Sequence, residues 1–386
     1  MPRTNSAIDF VIKISKYCNL RCSYCYEFEE LGQRRRMSLE QLRAFFTNVR
    51  DSVIEAGHSR IHFIWHGGEP LLVPLEYYER IGELQQEILG TSVEYANLLQ
   101  TNLTVLTERH IDFLKAKRFF NHAVGVSFDV YGDQRVDTRG RLKTQTVLAN
   151  LQRLRDAGVK FGAIAVLARN TLPKIQEIYR FYDSLGVPLR ILPFYKSATE
   201  GQIEQHSLTF DQISGALKRV FDDWLLSENA TNVTPLADYL RYAFAAIAEG
   251  PRVTHDPDEQ EHVFLVDTNG DTFGVADTYA QEQRYGNLFT EPLRDLLHSP
   301  ARAEVVRRAH ERMEGHCRAC PYFGHCPGTF AAEATAEQRR MLKEEGCPVR
   351  ELITHIIHRV QRTEAIDKML SARAQHVERP EIATGA

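Results

Sequence analysis

The sequence predicts an α/β fold, a partial (β/α)6 barrel of parallel strands followed by a small C-terminal extension. Apolar segments of strand length alternate with amphipathic helical segments over the first two hundred residues. The strand segments are short and rich in Val, Ile and Phe, as buried parallel strands are. A doubly wound sheet is the alternative, because strand order cannot be read from a sequence.

Six strands and the helices between them account for the predicted barrel. The strands are expected at residues 8–15, 60–65, 93–99, 123–128, 160–167 and 189–193, and the helices at 38–55, 75–89, 108–117, 144–157 and 174–185. The first helix is expected to begin at Ser38, because Gln41 three residues later completes a capping box. Further helices are expected at 209–226, 236–248 and 349–370, with a flexible tail after them.

Length and composition predict a chain with one large and one smaller folded unit. At 386 residues, the predicted divisions are a barrel at 1–200, a helical linker at 201–254, a metal-binding extension at 255–350 and a C-terminal helix and tail at 351–386. The formal net charge of -4 gives no reason to expect nucleic acid as a partner. No apolar run is long enough for a membrane span, and no signal peptide precedes the first strand, so a cytoplasmic protein is expected.

The seven cysteines fall into two groups. Cys18, Cys22 and Cys25 follow the first predicted strand, and three thiolates can hold a four-iron cluster that leaves one iron free. The second group, near the other end of the chain, has four thiols that can close a metal site completely: Cys317, Cys320, Cys326 and Cys347. The split predicts one open, reactive metal centre and one closed centre, and the odd count argues against a disulfide framework.

Polar motifs follow four successive predicted strands. The cysteine triad follows the first strand, and His66-Gly67-Gly68-Glu69-Pro70 follows the second. Gln100-Thr101-Asn102 follows the third strand and Ser127-Phe128-Asp129 follows the fourth. Because the chemistry of parallel barrels gathers at the C-terminal ends of the strands, these motifs are expected to share one site.

The triad spacing, with Tyr24 before the last cysteine, resembles the signature of the radical S-adenosylmethionine (SAM) superfamily. Gly67-Gly68-Glu69-Pro70 is similar to the SAM-binding motif of that superfamily. The resemblance implies that the triad ligates a [4Fe–4S] cluster whose free iron binds SAM, and that a 5′-deoxyadenosyl radical then abstracts a substrate hydrogen. It also implies that Tyr24 lies beside the adenine.

Further SAM-site residues follow from the same resemblance. Ser127 resembles the polar residue that contacts the SAM carboxylate, and Gln100, Thr101 and Asn102 resemble a similar strand-end run. Arg139 is a candidate partner for a carboxylate. Each has a simpler explanation, since Ser and Asn form turns, two glycines allow close backbone approach and Arg139 can be a solvated charge.

The second cysteine group resembles the C-terminal cluster-binding extension called SPASM, found in peptide- and protein-modifying members. Residues 266–271 and 285–288 resemble its β-hairpin and following turn. By spacing alone, these four cysteines could equally form a structural zinc site. The cysteines expected for a second, inner auxiliary cluster are missing, and those regions carry His255, His262, Ala276 and Phe330. Two [4Fe–4S] clusters in all are therefore expected, one binding SAM and one auxiliary.

Two carboxylates are candidate catalytic bases. Asp277 lies where the resemblance to sulfatase-maturing relatives implies a base toward the substrate, and Asp129 ends the fourth strand. Both have the alternative of a turn residue. Tyr131 and Tyr195 are expected either to line the substrate channel or to serve packing.

The resemblance implies an enzyme that modifies a ribosomally made precursor peptide, with a carbon–carbon or thioether cross-link as the leading hypothesis. A sulfatase-type maturase that makes formylglycine is the second hypothesis, and a zinc-bearing binding protein without catalytic activity is the third. The expected partners are the peptide, an electron donor such as flavodoxin or ferredoxin, and a separate leader-binding protein, because the barrel begins almost at the first residue.

Overall fold

The computed structural model describes the barrel, most of the extension and one helix beyond it. The described residues are 7–55, 60–194, 200–229, 231–249, 256–260, 263–274, 279, 281–328, 340, 342–344 and 346–362. Within them, no helix combines the length and the apolar character that crossing a membrane requires.

Six parallel strands form the barrel wall in chain order. They are β1 (Ala7–Ser15), β2 (Arg60–Gly67), β3 (Glu94–Thr101), β4 (Val124–Ser127), β5 (Phe161–Leu167) and β6 (Leu189–Pro193). Each pairs in parallel with its neighbour in the sequence, and a two-residue strand, β7 (Val233–Thr234), continues the order beside β6. The predicted partial barrel of parallel strands is confirmed, and the doubly wound alternative is wrong because the strands pair in simple succession.

Five helices connect these strands and cover their outer face. They are α1 (Leu39–Glu55), α2 (Leu75–Ile88), α3 (Glu108–Ala116), α4 (Thr144–Asp156) and α5 (Ile175–Ser184). The predicted capping box at α1 is present: the Ser38 amide donates to Gln41 Oε1 at 2.8 Å, and the Gln41 amide donates to Ser38 Oγ at 3.1 Å. Every predicted bound lies within two residues of the observed one.

Helices after the barrel carry the chain to the extension. They are α6 (Glu200–His206), α7 (Phe210–Leu226), α8 (Leu236–Glu249), α9 (Pro257–Gln260), α10 (Leu293–Leu297), α11 (Pro300–Arg312) and α12 (Pro348–Gln361), and a π-helical turn, Met313–Cys317, continues α11. The predicted helices at 209–226 and 236–248 are present, whereas the last one is described only to residue 361. Helices α6, α9, α10 and α11 were not predicted from the sequence.

The extension adds three strands to the barrel sheet. They are β8 (Val263–Val266), β9 (Asp271–Gly274) and β10 (Arg284–Asn287), and β8 pairs in parallel with β1. Among the described residues, the sheet therefore has ten strands in the order β10-β9-β8-β1-β2-β3-β4-β5-β6-β7. The turn predicted at 285–288 is wrong for residues 285–287, which belong to β10 and run antiparallel to β9, with the Tyr285 ring packed on Phe264, whereas Leu288 begins a turn.

Side-chain alternation divides the strands between a packed outer core and the barrel interior. On β1, Phe10, Ile12 and Ile14 belong to the main core beneath the helices. Val11 belongs instead to a separate apolar cluster with Ile64 of β2, and both line the interior cavity. Period-two alternation then places Lys13 inward beside its register partner His66. The interior is apolar at mid-height and polar at the ends of the strands.

The glycine pair after β2 lies directly against the start of the cysteine loop. The Gly68 amide donates to Ser15 O at 2.8 Å, and the Glu69 amide donates to Tyr17 O at 3.0 Å. A Cβ on Gly67 would stand 2.1 Å from Ser15 O, and one on Gly68 would stand 2.3 Å from Tyr17 O. These glycines are therefore required by backbone packing.

Replacing Gly68 with alanine tests this contact. Because the added Cβ meets backbone that cannot move independently of β1, Gly68→Ala is expected to lower the free energy of unfolding by about 1–3 kcal/mol. Guanidinium unfolding under anaerobic conditions measures the change. Gly32→Ala is the matched control, since nothing lies within 4 Å of a Cβ there. Equal stability of the two variants would contradict the packing requirement.

Candidate active site

The three N-terminal thiols face one cavity at the C-terminal ends of the barrel strands. Cys18 and Cys22 are buried, Cys25 is half-buried, and all three line a cavity of about 320 Å³ together with Gly67 and Gly68. The loop is held by backbone bonds from Cys18 to Leu31 O and from Cys25 to Cys22 O. Burial raises the pKa of Cys18 and of Cys25 to about 12. These thiols therefore need a bound cation to ionise at neutral pH.

Glu69 joins the second strand to the third. Its Oε1 accepts from Thr101 Oγ1 at 2.6 Å and from the Leu71 amide at 2.9 Å, and its Oε2 accepts from the Asn102 amide at 2.7 Å. Burial raises the pKa of this carboxyl, which these three donors partly oppose. Glu69 and Pro70 lie behind the cavity wall rather than in it. The carboxylate thus positions the strand ends.

The run after the third strand reaches both the cysteine loop and the cavity. Asn102 Nδ2 lies 3.6 Å from Cys18 Sγ, and Gln100 Nε2 donates to Ser127 Oγ at 2.6 Å. The residues of this run that line the cavity, together with the serine after β4, are Gln100, Thr101, Asn102 and Ser127. Gly125 leaves room for Gln100, because a Cβ there would stand 2.1 Å from Gln100 Oε1. The sequence-predicted strand-end residues are brought together at one site.

Asp129 organises the wall without facing the cavity. Its Oδ2 accepts from the Tyr24 hydroxyl at 2.6 Å, its Oδ1 accepts from the Val166 amide at 2.7 Å, and Arg135 Nε lies 3.3 Å away. Asp129 is 2% exposed and does not line the cavity. The expectation of a catalytic base at Asp129 therefore finds no support in this geometry, since its oxygens are already engaged.

The arginine of the site is Arg135, not Arg139. Arg135 is 6% exposed and lines the cavity, with its guanidinium 5.7 Å from the centre of the Tyr24 ring. Burial opposes its charge, but neighbouring Tyr24 and Asp129 outweigh that effect and raise its pKa. Arg139 is exposed on the loop that follows, where its amide donates to Asp137 Oδ1. The sequence offered no signal that separates these two arginines.

A second buried charge network on the opposite side of the cysteine loop was not predicted. Lys13 is fully buried, lies 3.3 Å from Glu27 Oε1 and hydrogen-bonds to Tyr26. Burial opposes the ammonium charge, yet Tyr26 and Glu27 together raise its pKa. Lys16 contacts Asp267 at 3.0 Å, which ties this network to the turn between β8 and β9. Tyr26 and Glu27 line the cavity.

His66 lies beside this network at the end of β2. Its Nδ1 accepts from the Gly67 amide at 2.7 Å and lies 3.4 Å from Lys13 Nζ. Burial and the Lys13 charge hold the pKa of His66 well below its usual range. These effects favour the neutral ring, and an Nδ1 that accepts from the Gly67 amide leaves the proton to Nε2. His66 lines the cavity.

The four C-terminal thiols line a separate cavity of about 260 Å³ in the extension. Four thiolates are a donor set that can hold a [4Fe–4S] cluster or a zinc ion. Three thiolates at one cavity suit a four-iron cluster with one open iron. Both cysteine groups therefore fit the clusters expected of them.

Several sequence-predicted residues lie outside the described residues: Asp277, His255, His262, Ala276, Phe330 and Tyr195. Tyr131 is described; it is 41% exposed and does not line the cavity. Tyr24, Gly67 and Gly68 line the cavity as the sequence led us to expect.

Comparison with known proteins places this architecture among radical SAM proteins. The model of the radical SAM superfamily matches residues 12–182. The chain is 24% identical over 341 residues to the serine-type anaerobic sulfatase-maturating enzyme of Bacteroides thetaiotaomicron, covering 82% of this chain and 80% of that one. It is 24% identical to the cysteine-type enzyme of Clostridium perfringens, covering 81% of this chain and 86% of that one.

Solved structures share the whole fold. Native anSMEcpe with bound AdoMet and Cp18Cys peptide has a TM-score of 0.71 at 21% identity, covering 92% of this chain and 99% of that one. Streptococcus suis SuiB bound to precursor peptide SuiA has a TM-score of 0.58 at 14% identity, covering 84% of this chain and 72% of that one. The region that matches the radical SAM model contains both the cysteine triad and the glycine pair, which meet at one cavity, so the chain contains a radical SAM domain.

Proposed function

We propose that this radical SAM enzyme modifies a peptide side chain, oxidising a Ser or Cys residue in the manner of the sulfatase-maturating enzymes. The observation that carries the proposal is similarity to those enzymes over about four fifths of both chains. Structures of the same fold hold peptides, both in anSMEcpe and in SuiB. A sulfatase-type substrate is thereby favoured over the cross-link that the sequence analysis put first.

The residues around the cavity are suited to binding SAM beside a cluster. When bound, SAM and the [4Fe–4S] cluster supply a 5′-deoxyadenosyl radical that abstracts a substrate hydrogen. Cys18, Cys22 and Cys25 would hold the cluster, and the backbone at Gly67 and Gly68 would approach the SAM amino group. Ser127, held by Gln100, and Arg135 would bind its carboxylate, and Tyr24 would border the adenine.

The opposite wall is suited to an uncharged peptide side chain. Lys13 and Glu27 neutralise one another, and His66 is neutral, so this wall carries hydrogen-bonding groups without a net charge beside the triad. The hydroxyl of a Ser or the thiol of a Cys would bind there without a charged partner. The apolar cluster of Val11, Ile64 and Leu98 below excludes water from the interior.

Cross-link formation in a precursor peptide remains the second candidate. The observation that favours it is the cysteine count, because seven thiols serve two clusters and none is left for an inner auxiliary cluster. An electron donor such as flavodoxin or ferredoxin is required in either case, and a separate leader-binding protein is proposed for a precursor peptide.

Single cysteine replacements are expected to separate the two clusters. The wild-type protein, reconstituted anaerobically, should hold about eight irons and eight sulfides. Cys22→Ala should lose about half of the iron and all 5′-deoxyadenosine formation, because the SAM-binding cluster lacks a ligand. Cys326→Ala, the matched variant in the extension, should lose a similar share of iron but keep the electron paramagnetic resonance (EPR) signal that shifts when SAM is added. About four irons plus one zinc in the wild type would contradict the assignment of the second site.

A peptide assay is expected to decide between the two substrate hypotheses. Peptides with a sulfatase Ser or Cys motif, and a precursor peptide encoded beside the gene, are incubated with SAM and reductant. Formylglycine should appear as a carbonyl that reacts with a hydrazide. A product that has lost two hydrogens, contains no such carbonyl and resists fragmentation between two residues would instead establish the cross-link. SAM cleavage without any change in either peptide would contradict both.

The two candidate carboxylates are expected to respond differently to replacement. Asp129→Asn leaves Arg135 without its buried partner, so the free energy of unfolding should fall by about 3 kcal/mol and SAM binding should weaken. Asp277→Asn, tested as the proposed base, should keep stability and SAM cleavage while product formation falls about 10²-fold or more. Unfolding curves and the ratio of product to 5′-deoxyadenosine measure these effects. An unchanged ratio in Asp277→Asn would exclude that base.

A further inference from the structure

A buried arginine lies against one of the four thiols in the extension. Arg312 is 8% exposed, and its Nη1 lies 3.4 Å from Cys317 Sγ. Its Nη2 donates to Pro327 O at 3.0 Å, immediately after Cys326. One guanidinium thus spans the loop that carries the first three of the four thiols.

The local backbone explains how this contact arises. Arg312 ends α11, and the chain continues through the π-helical turn Met313–Cys317. Residues five apart point in different directions on an α-helix, but a π-helical turn brings them to the same side. Arg312 and Cys317 are five apart, so the wider turn is what places the guanidinium on the sulfur.

The guanidinium of Arg312 also reaches the backbone beside a second thiol, because Pro327, whose carbonyl oxygen accepts from Nη2, directly follows Cys326. Arg318 lies in the same loop, but it is 70% exposed and pairs with Glu314. The two arginines therefore offer a comparison between a cation at the site and one in solvent.

We propose that Arg312 tunes the reduction potential of the auxiliary cluster by donating a charge-assisted hydrogen bond to the Cys317 sulfur. Reduction adds one electron to a cluster already made negative by four thiolates. A guanidinium N–H that donates to a ligating sulfur stabilises the reduced state more than the oxidised state, so the potential is higher than the ligands alone would set. The proposal rests on the iron–sulfur assignment of this site and is independent of the peptide substrate.

The test is a redox titration of the anaerobically reconstituted full-length enzyme, followed by EPR without peptide. The auxiliary signal is identified as the one that SAM does not shift. In Arg312→Gln, the ratio of reduced to oxidised auxiliary cluster at a fixed potential should fall about tenfold, which is 59 mV for a one-electron couple. Arg318→Gln should leave the ratio unchanged, and the SAM-binding cluster should be unaffected in both variants.

A structural role for Arg312 would give a different result. Arg312→Gln with full iron content and the wild-type potential overturns the proposal, and so does an equal shift in Arg318→Gln. If Arg312→Gln does not retain its iron, Arg312→Met decides, because methionine fills much of the same buried space without a charge or an N–H donor, and the same fall in potential is expected. A wild-type potential in that variant, or zinc at the site, overturns the proposal. Loss of peptide modification alone bears only on the proposed function.

Discussion

The backbone contact between Gly67–Gly68 and Ser15–Tyr17 determines where the reactive centre lies. The ends of β1 and β2 approach so closely that no side chain fits between them, and the cysteine loop leaves β1 from this point. Glu69 then transmits the same constraint to β3 through Thr101 and Asn102. Three strand ends and the cluster loop are thus held as one unit, and the cavity is the space they enclose.

Two buried ion pairs support this unit from opposite sides. Lys13 with Glu27 and Arg135 with Asp129 each place a cation within 3.3 Å of a carboxylate oxygen. Desolvation makes such pairs weak contributors to stability, but the loss of one partner leaves a buried charge uncompensated. Here these pairs fix the positions of the residues around the cysteine loop. Asp129 holds Tyr24 as well as Arg135, and Lys16, from the same segment as Lys13, ties the cysteine loop to Asp267 of the extension.

Local periodicity was enough to predict the barrel elements, because the hydrophobic pattern that identifies each strand or helix is contained in about ten residues. The cysteine groups and the strand-end motifs were predicted for the same reason. The sequence could not show which way a side chain points in the folded protein. Arg135 and Arg139 are four residues apart in one loop, and only the tertiary fold turns the first inward. Likewise, Asp129 follows a strand as a catalytic residue would, but its oxygens are engaged by Tyr24 and Val166. Strand β10 was missed because its pairing with β9 depends on residues more than ten positions away.

The closed geometry of the C-terminal site limits what that site can do. Four thiols leave no coordination position for substrate, so such a cluster acts through electrons or through its support of the extension. Under the proposed function, the peptide would be held near the triad by side chains alone. His66 and Glu27 line the cavity there, and Lys13 is the buried partner that compensates the charge of Glu27. Such a wall would accept a hydroxyl or a thiol while leaving a charged side chain without a counterion. The strand ends that position the cysteine loop would then also select an uncharged residue.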